Sequence, residues 1–371
     1  MTKITFFPLG NADSTLLHLA DDRMILKDYF NCESTGDDDL RVRLDEELRI
    51  CLREAKRNHF NVVAFSHADD DHTHGAEDFF WLDHDELYQG PERVRIPELW
   101  VPACFILEPR LTGSARIIRQ EARHRFKKGY GIKVFGNPEK LEDWLQSEDI
   151  NPSERLHLIQ KAGQCVPGFD RNHGQVEIFS HSPFSYRMEG EDVDRNGNSL
   201  VWHLTFFEGG NVFKSMHGAD ADHETWANLI LKTEQRGRYD RLTTNLFRVS
   251  HHSSYTALSV EKGNDETVPR SEVSRMFDLC SMGCILVSSS DPIPVEDSTQ
   301  PPHHQAAAYY RRIARDRGNE KNYIVTMEYP CVEKPRPLIV EVTSRGFVVR
   351  RSIAAVAGST LVVSRPSPRL G

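Results

Sequence analysis

The sequence predicts an α/β sandwich: two mixed sheets packed face to face, with helices on their outer sides. Three observations lead there. Short apolar runs of strand length recur along the chain. They come first as a group of strands and then alternate with helical patterns. That order repeats once. No proline- or glycine-rich linker and no internal repeat divides the 371 residues. One domain is therefore expected over residues 1–355, with an insertion at about 105–170. Residues 356–371, ending in SRPSPRLG, read as a strand remnant and a flexible tail.

The elements follow in chain order. ITFFPLG (4–10), STLLHLA (14–20) and RMILKDYF (23–30) are apolar runs joined by tight turns, which predicts three strands. From Asp38 to Asn58 the apolar positions Leu40, Leu44, Leu48, Ile50 and Leu52 stand among charged residues, predicting an amphipathic helix. FNVVAFSH and IPELWVPAC read as strands, GSARIIRQEARHRFKKG and EKLEDWLQ as helices. Strands return with QVEIFSHS (175–182), NSLVWHLTFF (198–207) and NVFKSMHG (211–218). A helix over 224–235 leads to the strand TNLFRVSHH (244–252). Then come a helix around 270–281, the strand CILVSSS (284–290), a helix around 303–316 and the strand NYIVTMEY (322–329). PLIVEVTS and GFVVRRSI form a last hairpin, turning at Arg345-Gly346.

Composition narrows the function. A formal charge of −9 argues against holding nucleic acid by bulk electrostatics, though a metal site or a regional basic patch supplies cation locally. No apolar run reaches the roughly 18 residues of a membrane span. The N-terminus lacks the pattern of a secretory signal. Seven cysteines are scattered without metal-site spacing, and Cys280 and Cys284, just before an apolar run, read as buried thiols. These features predict a cytoplasmic protein without a membrane partner.

One stretch stands out. Ser66 to Gly75 reads SHADDDHTHG, three histidines and three aspartates placed where the strand NVVAF ends. Three adjacent carboxylates repel, and imidazoles gain little from an apolar strand. If the chain stays extended, His67, Asp69 and Asp71 share one face, and His72 enters from the following turn. Imidazole nitrogen and carboxylate oxygen are ligands for zinc, manganese or iron, and two such cations would remove the repulsion. The alternative is a solvated acidic loop with incidental histidines.

His67-x-Asp69-x-Asp71-His72 resembles the metallo-β-lactamase-fold signature H-x-H-x-D-H, with aspartate in the second histidine's place. This variant is similar to the hydrolase domain of ComEC-type DNA-uptake proteins and their soluble relatives. Further blocks recur in order over residues 5 to 310. LGNADSTLL (9–17) resembles VGQGDSILI, and MILKDYF (24–30) takes the place of ILIDGG. GNSLVWHL (197–204) resembles NNxSLVL, and NVFKSMHGADAD (211–222) resembles xxFLLTGDAE. LFRVSHHSS (246–254) is close to LLKVPHHGS, and the segment 285–310 parallels a last block ending in GHP. Departures leave some roles open. GADAD offers either Asp220 or Asp222 as bridging carboxylate, with Asp220 preferred. HHSS and PPHH leave the last ligand open among His251, His252, His303 and His304. The membrane channel of the DNA-uptake proteins is absent.

The resemblance implies an αββα sandwich and a binuclear metallohydrolase with two divalent ions, Zn or Mn, per chain. It implies a phosphodiesterase, first of all a DNA nuclease, using hydroxide activated by the two ions. Hydrolysis of small phosphoesters, cyclic nucleotides or carboxylic esters is the alternative, since one fold hosts many chemistries. A non-catalytic protein with a structural metal is the third. His67 and Asp69 would hold one ion, Asp71 and His72 the other, with Asp220 bridging and His251 completing the set. Asp71 belongs to the catalytic group, and a spare histidine, His74, His252 or His304, would protonate the leaving oxygen. Asp28 would orient a metal-bound histidine or serve as a turn residue. Asp13 would do the same or supply turn chemistry. Asn198 and Ser199 would bind phosphate or merely start a strand. Arg116, Arg119, Arg123, Arg125, Lys127 and Lys128 form either a solvated helix face or a phosphate contact.

Overall fold

The structure, a computed structural model, describes residues 1–31, 36, 38–184, 187–189 and 192–350. β1 (Lys3–Phe6), β2 (Thr15–His18) and β3 (Met24–Lys27) form an antiparallel meander. Helix α1 (Leu44–Glu54) crosses over to β4 (Val62–Ala64), parallel to β3. The short helices α2 (Asp70–Thr73) and α3 (Ala76–Phe79) follow directly. Next come β5 (Glu98–Pro102), α4 (Cys104–Leu107), α5 (Gly113–Lys128), β6 (Ile132–Phe135), α6 (Pro138–Ser147) and β7 (Ile159–Gln160). Residues 105–170 thus supply two parallel strands of this sheet and the helices beside them.

The second half repeats the plan. β8 (Gln164–Cys165) and β9 (Val176–Ser180) are followed by a separate two-stranded hairpin, β10 (Met188–Glu189) and β11 (Asp192–Val193). β12 (Trp202–Glu208) and β13 (Asn211–His217) pair antiparallel. Alternation then sets in: α7 (His223–Gln235), β14 (Thr244–Arg248), α8 (Ser271–Asp278), β15 (Cys280–Ser288), α9 (His304–Asp316) and β16 (Tyr323–Val325). β17 (Leu338–Thr343) and β18 (Gly346–Val349) return to the first sheet, β17 pairing with β1. The two sheets run β18-β17-β1-β2-β3-β4-β5-β6-β7 and β16-β15-β14-β13-β12-β9-β8.

Alternation along the strands makes four layers. Ile25 turns inward while Met24 and Leu26 turn outward, as the pleat requires. The inner core joins Ile4, Phe6, Ile25 and Trp100 of the first sheet to Ile178, Trp202, Leu246 and Val287 of the second. Trp100 meets Trp202 edge to face across the sandwich at 5.4 Å. Two further cores lie outside, one under α1, α5 and α6, the other under α7, α8 and α9. This is the αββα sandwich expected from the sequence. Among the described residues no helix is long and apolar enough to cross a membrane.

Several boundaries differ from expectation. α1 begins at Leu44 rather than Asp38, and Leu40 is exposed. Asp45, Glu46 and Glu47 fill its first turn, where carboxylates favour a helix start. β15 begins at Cys280 and takes the end of the predicted helix over 270–281; Cys280 and Cys284 are both buried. The remnant and tail at 356–371 lie outside the described residues.

The turn over 239–243 depends on two buried imidazoles. His181 Nε2 pairs with the Arg241 carbonyl at 2.9 Å and His203 Nε2 with the Thr243 carbonyl at 3.0 Å. Burial pushes His181 down to about 4. Burial, together with His181, Lys214 and Arg241, holds His203 well below the usual imidazole range. Both rings stay neutral in the fold but take a proton near pH 6.5 once unfolded, so their stabilisation is complete above that pH and is lost below it. The pair should cost about 2 kcal/mol between pH 6.5 and 5.5. Urea unfolding in EDTA should show His203→Gln with a shallower loss than the parent; equal slopes would refute this account.

Candidate metal centre

The parallel strands of both sheets end at one rim, the position at which open α/β sheets bind ligands. Asp28 follows β3, Ser66 and His67 follow β4, Asp220 follows β13, and His251 and His252 follow β14. The link is direct, since the Leu200 N–H, in front of β12, donates to the Ser66 carbonyl at 2.9 Å.

Asp220 is the hub. Its Oδ1 lies 3.4 Å from His72 Nε2, and its Oδ2 lies 3.5 Å from His252 Nε2 and 3.9 Å from both His67 Nε2 and His251 Nε2. Asp71 Oδ2 stands 3.3 Å from His72 Nε2 and 3.0 Å from His252 Nε2. Asp71, His72, Asp220 and His252 each offer a ligand atom within 4.8 Å of the others. Burial pushes the Asp220 carboxyl up, but His252, His72 and His251 overcome this and hold it well below the carboxylate range. Burial lowers His252, yet Asp220 and Asp71 raise it to about 10. Burial alone, with His72 adding to it, lowers His67.

Asp222, the alternative bridging residue, accepts from the Thr225 N–H at 2.7 Å and caps α7. Asp69 sits half out of the cluster. Its Oδ2 is 3.6 Å from His67 Nε2, while its Oδ1 accepts from Arg195 Nη1 at 2.8 Å. Arg195 also binds Glu108 at 2.7 Å.

Behind His72 lies a second set. Asp28 Oδ1 accepts the Ser66 N–H at 2.5 Å, its Oδ2 accepts Ser66 Oγ at 2.7 Å, and Oδ2 is 3.1 Å from His72 Nδ1. That fixes His72 with Nε2 towards Asp220, as a carboxylate behind a ligating histidine does. Asp13, Asp28 and His72 also group at ligand distance. Their charge is already balanced, however, by buried Lys27 at 3.3 Å from Asp28 and buried Arg248 against Asp13. Asp28 and Asp13 therefore suit the orienting of His72 rather than a second ion of their own.

The two histidines after β14 differ in depth. His252 is buried, its Nδ1 2.6 Å from the Ser289 carbonyl, whereas the His251 side chain keeps 24% of its exposure. Sequence reasoning expected His251 as ligand and His252 as proton donor; their depths suit the reverse. Both imidazoles reach Asp220 because His251, His252 and Ser253 take positive φ of 49°, 50° and 61° in succession. Such residues cost about 1–3 kcal/mol each unless held. Ser253 Oγ is held by Ser288 Oγ and the Tyr323 hydroxyl, both at 2.8 Å.

Other expected residues stand elsewhere. His74 turns out of the cluster, pairing with Asp70 at 3.1 Å and lying on Phe30. Gly75, at φ 73°, redirects the chain there, and a Cβ on it would come 2.9 Å from the Asn31 carbonyl. His304 opens α9 on the side of Asp297. Asn198 bonds the Arg187 N–H and the carbonyls of Arg187 and Asp194, clasping its own loop, and the buried Ser199 Oγ has no hydrogen-bond partner among the described residues. The basic helix α5 spends its charges locally. Arg119 and Arg123 donate to carbonyls of Ile106, Glu108 and Pro109, Arg125 pairs with Glu121, and Lys127 with Glu148.

No family model and no curated protein matches the chain. Solved structures do. Yeast PDE1 shares 10% identity at a TM-score of 0.42, covering 88% of this chain and 97% of its own. CmlA, a diiron β-hydroxylase from Streptomyces venezuelae, shares 9% at a TM-score of 0.38 over 87% of this chain, which spans 52% of that protein. The metallo-β-lactamase GOB-18 from Elizabethkingia meningoseptica shares 13% at a TM-score of 0.32, covering 74% of this chain and 88% of that one. Likenesses this distant decide nothing about chemistry. The sandwich stands on its own hydrogen-bond ladders and the cluster on its own atoms.

Sequence reasoning missed Arg195, Lys27 and Arg248. Each binds a carboxylate of the site, yet Arg195 lies 126 residues from its partner Asp69. Lys27 was visible, since a lysine inside the apolar run MILKDYF asks for a buried counter-ion.

Proposed function

We propose that the chain is a binuclear metallohydrolase of the metallo-β-lactamase fold that cleaves phosphodiester bonds, in the first place those of DNA. One observation carries the metal. His67 Nε2, His72 Nε2 and Asp220 Oδ1 are fully buried and converge, and among the described residues none closes an aligned hydrogen bond, although His72 Nε2 lies 3.4 Å from Asp220 Oδ1. An unpaired buried polar atom costs about 1–3 kcal/mol, so three in one place fit ligands for a cation. Imidazole with carboxylate suits Zn or Mn.

His67, Asp69, Asp71, His72, Asp220 and His252 would hold the ions. Divalent ions at such a site supply Lewis acidity and lower the pKa of water. The chain's own part is positional. Asp28 fixes His72, the Ser289 carbonyl fixes His252, and Arg195 steadies Asp69. His251, partly exposed at the rim with Nε2 3.9 Å from Asp220 and Nδ1 3.3 Å from Thr256 Oγ1, would protonate the leaving group.

Phosphodiester chemistry rests on the ordered motifs resembling ComEC-type domains. The alternative of a small phosphoester has a space beside the cluster, a recess of ≈ 420 Å³ lined by Arg110 and Arg195 together with Asp69, Glu108 and Asp194. Cysteine usage supports a cytoplasmic setting. Stripped protein reloaded with Mn²⁺ or Zn²⁺ should cleave single- or double-stranded DNA, RNA or bis(p-nitrophenyl) phosphate, and Asp71→Ala should lower turnover about a hundredfold or more. Absence of cleavage on all four, or full activity in Asp71→Ala, would overturn the proposal. Elemental analysis giving one ion or none per chain would favour a structural metal.

A further inference from the structure

Positive charge is concentrated on a face that the sequence did not single out. The C-terminal half of α1 and the segment 81–95 enclose a cavity of ≈ 340 Å³ lined by Arg49, Arg53, Arg57, Arg93, Arg95 and Trp81. Glu92 is its one carboxylate. Among the described residues none of the five guanidiniums is paired with a carboxylate. Arg49 donates to the Glu92 carbonyl, Arg57 to the Asp22 carbonyl, and Arg93 to the carbonyls of Glu77 and Phe80. Arg95 stacks 4.0 Å from the centre of the Trp81 ring, and Arg53 is exposed. Carbonyls and an aromatic face hold guanidiniums in place without neutralising them, which leaves donor edges for an anion. In a chain of net charge −9, five such groups around one recess form a local anion site.

The cavity has a neighbour. Arg49 also lines a recess of ≈ 430 Å³ that contains His74, two residues beyond His72. Asp45 and Asp78 stand there, so the charge that grips an anion is confined to the arginine cavity. A recess of ≈ 340 Å³ takes in a few phosphates of one strand rather than the body of a duplex. We propose that the arginine cavity, which shares no residue with the metal centre, holds the phosphodiester backbone of a single-stranded nucleic acid. Its role as an anchor for a polymeric substrate rests on the nuclease function proposed above; its binding does not.

The test is fluorescence anisotropy in EDTA with a labelled oligothymidylate of about 20 nucleotides. Arg53→Ala/Arg95→Ala should raise Kd about tenfold or more and flatten the salt dependence by about 1.4, at roughly 0.7 per phosphate contact. Arg53→Lys alone should bind within about threefold of the parent, since Arg53 is exposed and lysine keeps its charge. Turnover of bis(p-nitrophenyl) phosphate should be unchanged in both. A Kd within twofold of the parent in a natively folded alanine variant, or an equal loss from Arg116→Ala/Lys128→Ala on α5, would overturn the proposal. Binding lost in the alanine variant while the parent cleaves no phosphodiester would retain the cavity and refute the nuclease. DNA cleavage and binding that both survive the substitutions would do the opposite.

Discussion

Asp220→Asn is expected to abolish turnover, by about a thousandfold or more, and to reduce bound metal from two ions per chain to one or none. Four imidazoles, those of His67, His72, His251 and His252, lie within 3.9 Å of this carboxylate. An amide keeps the shape but gives up the charge and turns one acceptor into a donor. The metal-free protein should suffer as well. Asp220 is what raises His252 most strongly against its burial, and it does the same for His72 after Asp71. Removing one partner from a buried ionic cluster costs about 3–5 kcal/mol. Melting in EDTA and elemental analysis of the loaded protein read the two effects separately. A variant that keeps two ions and full turnover would show that Asp220 only fills space between the strands.

The stretch SHADDDHTHG was legible because its cost was local: charges crowded at the end of an apolar strand need a cation or water. Where two similar residues competed, the sequence offered a preference without a geometric reason for it. Asp220 and Asp222 both follow β13. Only the turn at Ala219, with φ 48°, sends the first into the cluster and leaves the second to cap α7. The adjacent His251 and His252 would point to opposite sides of a strand. A run of left-handed residues coils the chain so that both approach Asp220, and no propensity announces such a run where glycine is absent. By composition helix α5 read as either a solvated face or a phosphate contact. Arg119 and Arg123 close the chain onto carbonyls at residues 106–109, contacts that only tertiary structure creates. The arginine cavity was hidden for the converse reason, since α1 and residues 81–95 each contribute only part of its charge.

Asp28→Asn should separate positioning from ligation. Asp28 touches no candidate ligand atom directed at Asp220; it meets His72 from the Nδ1 side, 3.1 Å away. Burial pushes its carboxyl up, and Lys27 and His72 overcome this and hold it far below the usual range. The amide should still accept the Ser66 N–H but should cease to fix the imidazole. Metal affinity should fall about 10–100-fold, and turnover should recover at saturating metal, unlike that of Asp220→Asn. Lys27 would then be a buried cation without its counter-ion, costing about 3–5 kcal/mol of stability. Lys27→Met in the same chain should restore the stability but not the affinity, because methionine fills the space and removes the charge while His72 stays unfixed. A double-mutant cycle therefore gives a large coupling on stability and none on metal affinity. Were Lys27→Met to restore both, Asp28 would serve only to neutralise the lysine, and another group would have to orient His72.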